Sequence, residues 1–325
     1  MMIITLFLGK ANSNFYVRPP PLPKILRLTL IRIFGREKCM LMDQFKKDIE
    51  MSGLKTSTRL HYISEVSAFL KYVDKSEDEI TLQDVREFLH CLRYEKKLAI
   101  GTVNNYRAGI KFLFEVTLDK GWNDRKIPWI RGYRSLPSVL DKTEVIALID
   151  HVPDIMYKAI LNTVYSSGMR VGEVISLRVR DVDSKRMQIY ISAAKNGNAR
   201  YTILSQKNLM LLRNYIREYR AKTGYLFTPE DYLFPSPRTK NSEKHITSRC
   251  VEYAIQDAAI KAGITKKVTV HTLRHSFATH LLEAGQNIFY IKQLLGHSSI
   301  SSTCIYLHLV DISQMGVKSP LDMEV

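Results

Sequence analysis

Arg170, Lys195, His271, Arg274, His297 and Tyr306 follow one another through the C-terminal part of this 325-residue sequence. Breaking a phosphodiester without a metal requires a nucleophile, positive charge on the non-bridging oxygens and an acid for the leaving oxygen. These six residues offer candidates for every role. Each has a plainer reading when taken alone. Arg170 follows Tyr165-Ser-Ser-Gly168, where Gly168 is expected to end a helix beginning near Pro153, and an arginine there commonly serves the last carbonyls of that helix. His271 and Arg274 are three residues apart where a new helix should begin, so they share a face near its positive end, a favourable place to hold a phosphate. Tyr306 stands at helical spacing, where a tyrosine more often packs in a core.

Other groupings explain less. His271 and His275 are four apart like the histidines of HExxH, but the glutamate is missing, so no metal site is expected. Burial with a hydrogen bond accounts better for His275 and His280. Tyr290 to Leu307 has the outline of a helix-turn-helix, which would suit a DNA-binding regulator without catalysis. That reading leaves Arg170, Lys195 and His271 unused.

Positioning these residues requires two unlike domains. Between Asp43 and about Gly121 apolar residues recur at helical spacing, as in Leu60, Ile63, Val66, Phe69 and Leu70 and again in Val103, Tyr106, Ile110, Leu113 and Phe114. Thr58, Thr81 and Thr102 stand at expected N-caps. A bundle of about four helices over 43–121 is the expectation from this pattern. In 122–135 the pattern breaks: Pro128 and Gly132 interleave with Arg125, Lys126, Arg131 and Arg134, as in a linker lying along DNA or a solvated loop. The second domain, 136–325, opens with the capping pattern Asp141-Lys-Thr-Glu144. It is helical except where Gln188-Ile-Tyr-Ile-Ser192, the Asn196-Gly197 turn and Arg200-Tyr-Thr-Ile-Leu204 predict a β-hairpin with Lys195 at its tip. The fold class is mainly α with a small β-sheet. Residues 1–40, with Pro19, Pro20, Pro21, Pro23 and scattered arginines, show no periodic core; they suit a disordered basic arm, or a start of translation at Met40 or Met42.

Composition narrows the partner. Lys and Arg total 48 against 32 Asp and Glu, a formal charge of +16, which favours a polyanion. A membrane span needs about 20 apolar residues, and the run from Met1 to Leu8 is too short and lacks the features of a secretory signal. A cytoplasmic protein is expected. Cys39, Cys91, Cys250 and Cys304 are scattered, suggesting neither a disulfide framework nor a zinc site.

In combination, Gly168-Met-Arg170-Val-Gly-Glu173, Lys195 on its hairpin, His271-Thr-Leu-Arg274-His275, Leu295-Gly-His297-Ser and Tyr306 resemble the signature of tyrosine recombinases and phage-type integrases, with a layout most similar to Xer-type enzymes. The resemblance runs from about Asp43 to the C-terminus. It implies a SAM-like core-binding domain followed by a tyrosine-recombinase catalytic domain. It also implies that Tyr306 attacks the scissile phosphate to give a 3′-phosphotyrosyl bond, that Arg170 and Arg274 clamp the phosphate, and that His297 adds a donor. Lys195 would protonate the leaving 5′ oxygen, and His271 would assist proton transfer. Double-stranded DNA is the implied partner, a tetramer on paired sites the implied assembly, and no cofactor is implied. The tail containing Val317-Lys-Ser-Pro-Leu-Asp322 would dock on a neighbouring protomer or fold on its own domain. Gly172 departs from the small polar residues common at its position. The same ester chemistry also fits a type IB topoisomerase.

Overall fold

Leu41, Phe45 and Ile49 recur every four residues, and their helix, α1 (39–51), buries all three. In this computed structural model, which describes residues 39–132, 136–192, 199–237 and 244–310, α1 shares a core with α2 (Thr56–Val73), α3 (Leu82–His90) and α4 (Ile100–Phe112). Phe69, Phe88, Ile110 and Phe114 fill that core. The chain divides into two units, Met1–Arg134 and Ser135–Val325.

Of the three expected threonine caps, Thr81 begins α3: its side chain accepts from the Asp84 N–H, and Asp84 accepts from the Thr81 N–H. Thr58 and Thr102 lie inside α2 and α4 instead, whose flanking residues Lys55 and Ala99 make no side-chain cap. Leu54 and Leu98, one position further upstream, pack on the core, so apolar anchoring of the entering chain sets these starts without a hydroxyl. The stretch after 121 does not stand free of the bundle up to Ile130. Asn104 exchanges two hydrogen bonds with the Ile130 backbone, at 2.9 and 3.0 Å, and Arg107 donates to the Ile127 carbonyl at 2.9 Å.

The second unit is built around α6 (Ile155–Ser167), which packs on α8 (Gln206–Thr223) and α10 (Val270–Glu283). The helix α5 (Lys142–Asp150) starts at the Asp141 capping box, and α7 (Val171–Ile175), α9 (Ser248–Lys261), α11 (Ile288–Leu295) and the four-residue α12 (Ser301–Cys304) complete the helices. The expected hairpin is present as β2 (Gln188–Ile191) and β3 (Arg200–Ile203), antiparallel with Ile189 opposite Thr202. A strand of two residues, β1 (Val182–Asp183), adds to β2; it is too short to show a periodicity. Thr202 donates to the Ser167 carbonyl at 2.7 Å, fixing β3 against the end of α6.

Two glycines are required by geometry. Gly168 closes α6 at φ 67°, where a Cβ would lie 2.4 Å from the Phe277 ring. Gly296 closes α11 at φ 65°, where a Cβ would lie 2.8 Å from the Arg200 guanidinium. The helix-turn-helix outline is not realised. Between α11 and Val310, the last described residue, the chain forms the single turn α12 and a 3-10 turn, Ile305–His308, too short for a recognition helix that lies along a groove. Among the described residues no helix is long and apolar enough to cross a membrane. Residues 1–38, the hairpin tip with Lys195 and the tail from 311 lie outside the described residues.

Candidate active site

The turn that Gly168 permits delivers Arg170 to the start of α7. Its backbone N–H donates to Glu173 Oε2 at 2.8 Å and its guanidinium to Oε1 at 2.9 Å. Arg200 grips the same carboxylate with two parallel bonds, at 3.0 and 2.7 Å, and donates through Nε to the Leu294 carbonyl at 2.9 Å. One carboxylate therefore ties β3, α7 and α11 together. Burial by itself would raise the Glu173 pKa, but the hydrogen bonds from Arg200 and from the Arg170 backbone outweigh it and hold the group ionised below its ordinary range.

Arg274 rises from the second turn of α10 into the space between two helix ends and is 4% exposed. It donates to the Gly168 carbonyl at 2.6 Å, to the Leu295 carbonyl at 2.7 Å and to His297 Nε2 at 3.1 Å. Those carbonyls belong to the C-terminal ends of α6 and α11, where unsatisfied C=O groups carry partial negative charge. That is how a guanidinium is accommodated there without a carboxylate in direct contact: Glu173 stands 4.0 Å away and is held by Arg200 and Arg170. Burial, and then the neighbouring charge of Arg170, depress Arg274 to about 10, which leaves it fully charged at neutral pH.

Tyr306, on the 3-10 turn, is 2% exposed. Its hydroxyl is 3.1 Å from His275 Nδ1, and the His297 ring stacks on it at 6.3 Å between centroids with 15° between planes. Burial raises the phenol pKa, and the charges of Arg274 and Arg170 counter only part of that rise. His297 Nδ1 lies 2.9 Å from the Thr303 hydroxyl. Arg274 can only donate, so His297 Nε2 accepts from it and Nδ1–H donates to Thr303. Burial, then Arg274 and Arg170, bring His297 down to about 4, so the ring is neutral at pH 7. His271, at the start of α10, is exposed, yet the protein atoms around its ring and the nearby Arg274 charge depress it. His280, expected to be buried and bonded, has Nδ1 2.9 Å from the Tyr165 hydroxyl.

The fold thus brings Arg170, Arg274, His297 and Tyr306 into one cluster, with His271 within electrostatic reach of the arginines. Lys195 lies outside the described residues. Sequence reasoning did not single out Arg200 or Thr303; His275, expected to be buried with a hydrogen bond, is half-buried and bonded to Tyr306. For Arg200 a signal existed: β3 turns Arg200 and Thr202 inward and Tyr201 and Ile203 outward, so a charged residue occupies an inward register position. For His275 no sequence signal named Tyr306 as the partner, and for Thr303 none stood out.

This arrangement gathers two guanidiniums, a histidine held neutral and a phenol in one cluster, on a chain similar to proteins of known class. The description "Phage integrase family" matches residues 138–311, and "Phage integrase, N-terminal SAM-like domain" matches residues 41–124. A putative integrase/recombinase of Sinorhizobium fredii, y4qK, is 34% identical over 284 residues, covering 87% of this chain and 89% of its own. Tyrosine recombinase XerA of Pyrococcus furiosus is 32% identical over 283 residues, covering 83% and 91%. Among solved structures, a lambda integrase dimer bound to a core site aligns with TM-score 0.64 at 17% identity, covering 82% of this chain and 94% of that one. That last likeness is one of fold.

Proposed function

Because the chain belongs to the phage integrase family and is a site-specific tyrosine recombinase, we propose that Tyr306 is its nucleophile and that Arg170, Lys195, His271, Arg274 and His297 complete its catalytic site on double-stranded DNA. The observation that carries this is the Arg274 guanidinium, buried against two helix C-termini in the same cluster as the Tyr306 phenol. A fixed, dehydrated guanidinium is worth most where charge develops in a transition state.

Tyr306 Oη attacks the scissile phosphorus, the bond to the 5′ oxygen breaks, and the strand is left joined to the protein through a 3′-phosphotyrosyl ester. Arg170 and Arg274 each direct planar N–H donors at the non-bridging oxygens and stay charged at every relevant pH. A phosphate oxygen that draws Arg274 away frees His297 Nε2. With the Thr303 hydroxyl turned to donate to Nδ1, the other tautomer then points Nε2–H at the phosphate. Lys195 protonates the departing 5′ oxygen, and His271 assists proton transfer around the tyrosine and the phosphate. The ester conserves the energy of the broken linkage, so rejoining needs no nucleotide. Four protomers on two sites exchange strands in pairs. Solved recombinases that share the fold were captured on DNA, among them XerH on its difH substrate and the Tn1549 integrase on transposon-end DNA.

The test incubates wild type and Tyr306→Phe with nicked suicide duplexes drawn from the sequences flanking the gene. A denaturation-resistant protein–DNA adduct is expected from the wild type only, with DNA binding by both. Binding by both proteins without an adduct from either would remove the nucleophile assignment.

A further inference from the structure

Tyr306 must lose a proton when it bonds to phosphorus, and the neighbours of its hydroxyl limit where that proton can go. The side chain is 2% exposed, so bulk water is a poor acceptor. Arg274, which also bonds the phenol, has donors only. His297 faces the phenol with its ring plane, and both of its nitrogens are engaged, one by Arg274 and one by Thr303. His275 Nδ1 remains, 3.1 Å from the hydroxyl, on the same helix as Arg274 and one turn beyond His271. We propose that His275 is the general base of strand cleavage, accepting the Tyr306 proton at Nδ1 as the phosphotyrosyl bond forms and returning it on rejoining.

The proposal rests on the reading of Tyr306 as nucleophile. In the forward step the Tyr306 Oη–P bond forms and the P–O5′ bond breaks. The phenolic proton passes to His275 Nδ1, while the 5′ oxygen takes a separate proton from Lys195, and the reverse step restores both. The phenol donates to His275 in the resting state, which requires Nδ1 to carry a lone pair and Nε2 the proton. The surroundings favour that neutral form: burial, then the adjacent His271 and the Arg274 charge, hold His275 at about 4. A base this weak does not ionise the phenol in advance. It accepts the proton as negative charge moves from oxygen onto phosphorus, where Arg170 and Arg274 receive it.

His275→Asn places an amide oxygen near the position of Nδ1, so it can keep the hydrogen bond but cannot take the proton. With the full chain on nicked suicide DNA, adduct formation by His275→Asn is expected to slow by about 10²-fold or more, with DNA binding unchanged. Replacing Tyr306 by 3,5-difluorotyrosine, a more acidic phenol, in the His275→Asn chain is expected to restore most of that loss, an effect that a purely positioning role for His275 would not produce. An unimpaired His275→Asn, or a slow one that the fluorinated phenol fails to rescue, overturns the proposal. If the wild type forms no adduct, the nucleophile assignment falls and this inference with it. Should the asparagine variant not fold, His275→Ala, which removes the proton acceptor altogether, is compared in the same two backgrounds, with the same rescue by the fluorinated phenol expected.

Discussion

Arg107 in the first unit and Arg274 in the second are both nearly sequestered, at 6% and 4% exposed, yet their charges are answered differently. Arg107 bonds the Asp124 carboxylate and the Ile127 carbonyl and lies 5.4 Å from the Trp122 ring centroid and 5.6 Å from that of Trp129. Lys111, Trp122 and Arg107 together hold Asp124 down to about 2. That charge is neutralised locally and fastens residues 122–130 onto α4. Arg274 instead rests on carbonyls and a neutral histidine, with the nearby carboxylate Glu173 engaged by two other arginines. A sequestered guanidinium paired with a carboxylate at the surface serves structure, whereas a buried cation held by helix-end dipoles keeps its field available for an incoming anion.

Substitution separates these two uses. Arg274→Lys retains the charge but loses the planar fork, and adduct formation on suicide DNA is expected to fall by about 10²–10³-fold; a rate within a few-fold of wild type would show that a point charge suffices. Arg107→Ala should leave chemistry in the second unit intact and lower the stability of the first by about 1–2 kcal/mol, through the lost bond to the Ile127 carbonyl and the lost packing of the guanidinium. Chemical denaturation followed through Trp122 and Trp129 reads this directly, and an unchanged midpoint would mean that the Asn104 bonds to Ile130 and the packing of Trp122 on Phe114 hold the segment.

The smallest expected effect concerns pH. His275 and His297 are held at about 4 in the folded chain against an ordinary 6.5. Between those values the unfolded chain binds more protons, so their contribution is fully present above about 6.5 and declines as pH falls towards 4. Glu173, depressed below 4.5, adds the same trend at lower pH. In the first unit the depressed carboxylates Asp84 and Asp124 lose their contribution only below 3.8, and the buried Glu65, whose pKa is raised, acts in the opposite sense. Thermal melts between pH 7 and 5 should therefore lower the transition of the second unit before that of the first. Parallel shifts in both would show that these histidines are not the cause.

The residues that sequence reasoning named and those it passed over differ in how far along the chain their partners lie. Gly168 was legible as a helix end because a left-handed terminal residue is a local demand. The capping boxes at Thr81 and Asp141 and the strands β2 and β3 were legible for the same reason, each being decided within a few residues. Thr58 and Thr102 misled because burial of Leu54 and Leu98 against distant helices decided where α2 and α4 begin.

By itself, then, the sequence determined a basic, mainly helical chain with a hairpin, the order of its chemically capable residues, and the turns that display Arg170 and His297. Only the tertiary structure decided what those residues touch. Arg274 meets the Gly168 carbonyl across 106 positions, Arg200 meets the Leu294 carbonyl across 94, and His275 meets Tyr306 across 31. Periodicity and capping report which face of an element is buried, whereas the partner met on that face depends on packing between helices far apart in the chain. For that reason His275 reads in the sequence as one more buried histidine and in the folded protein as the neighbour of the nucleophile.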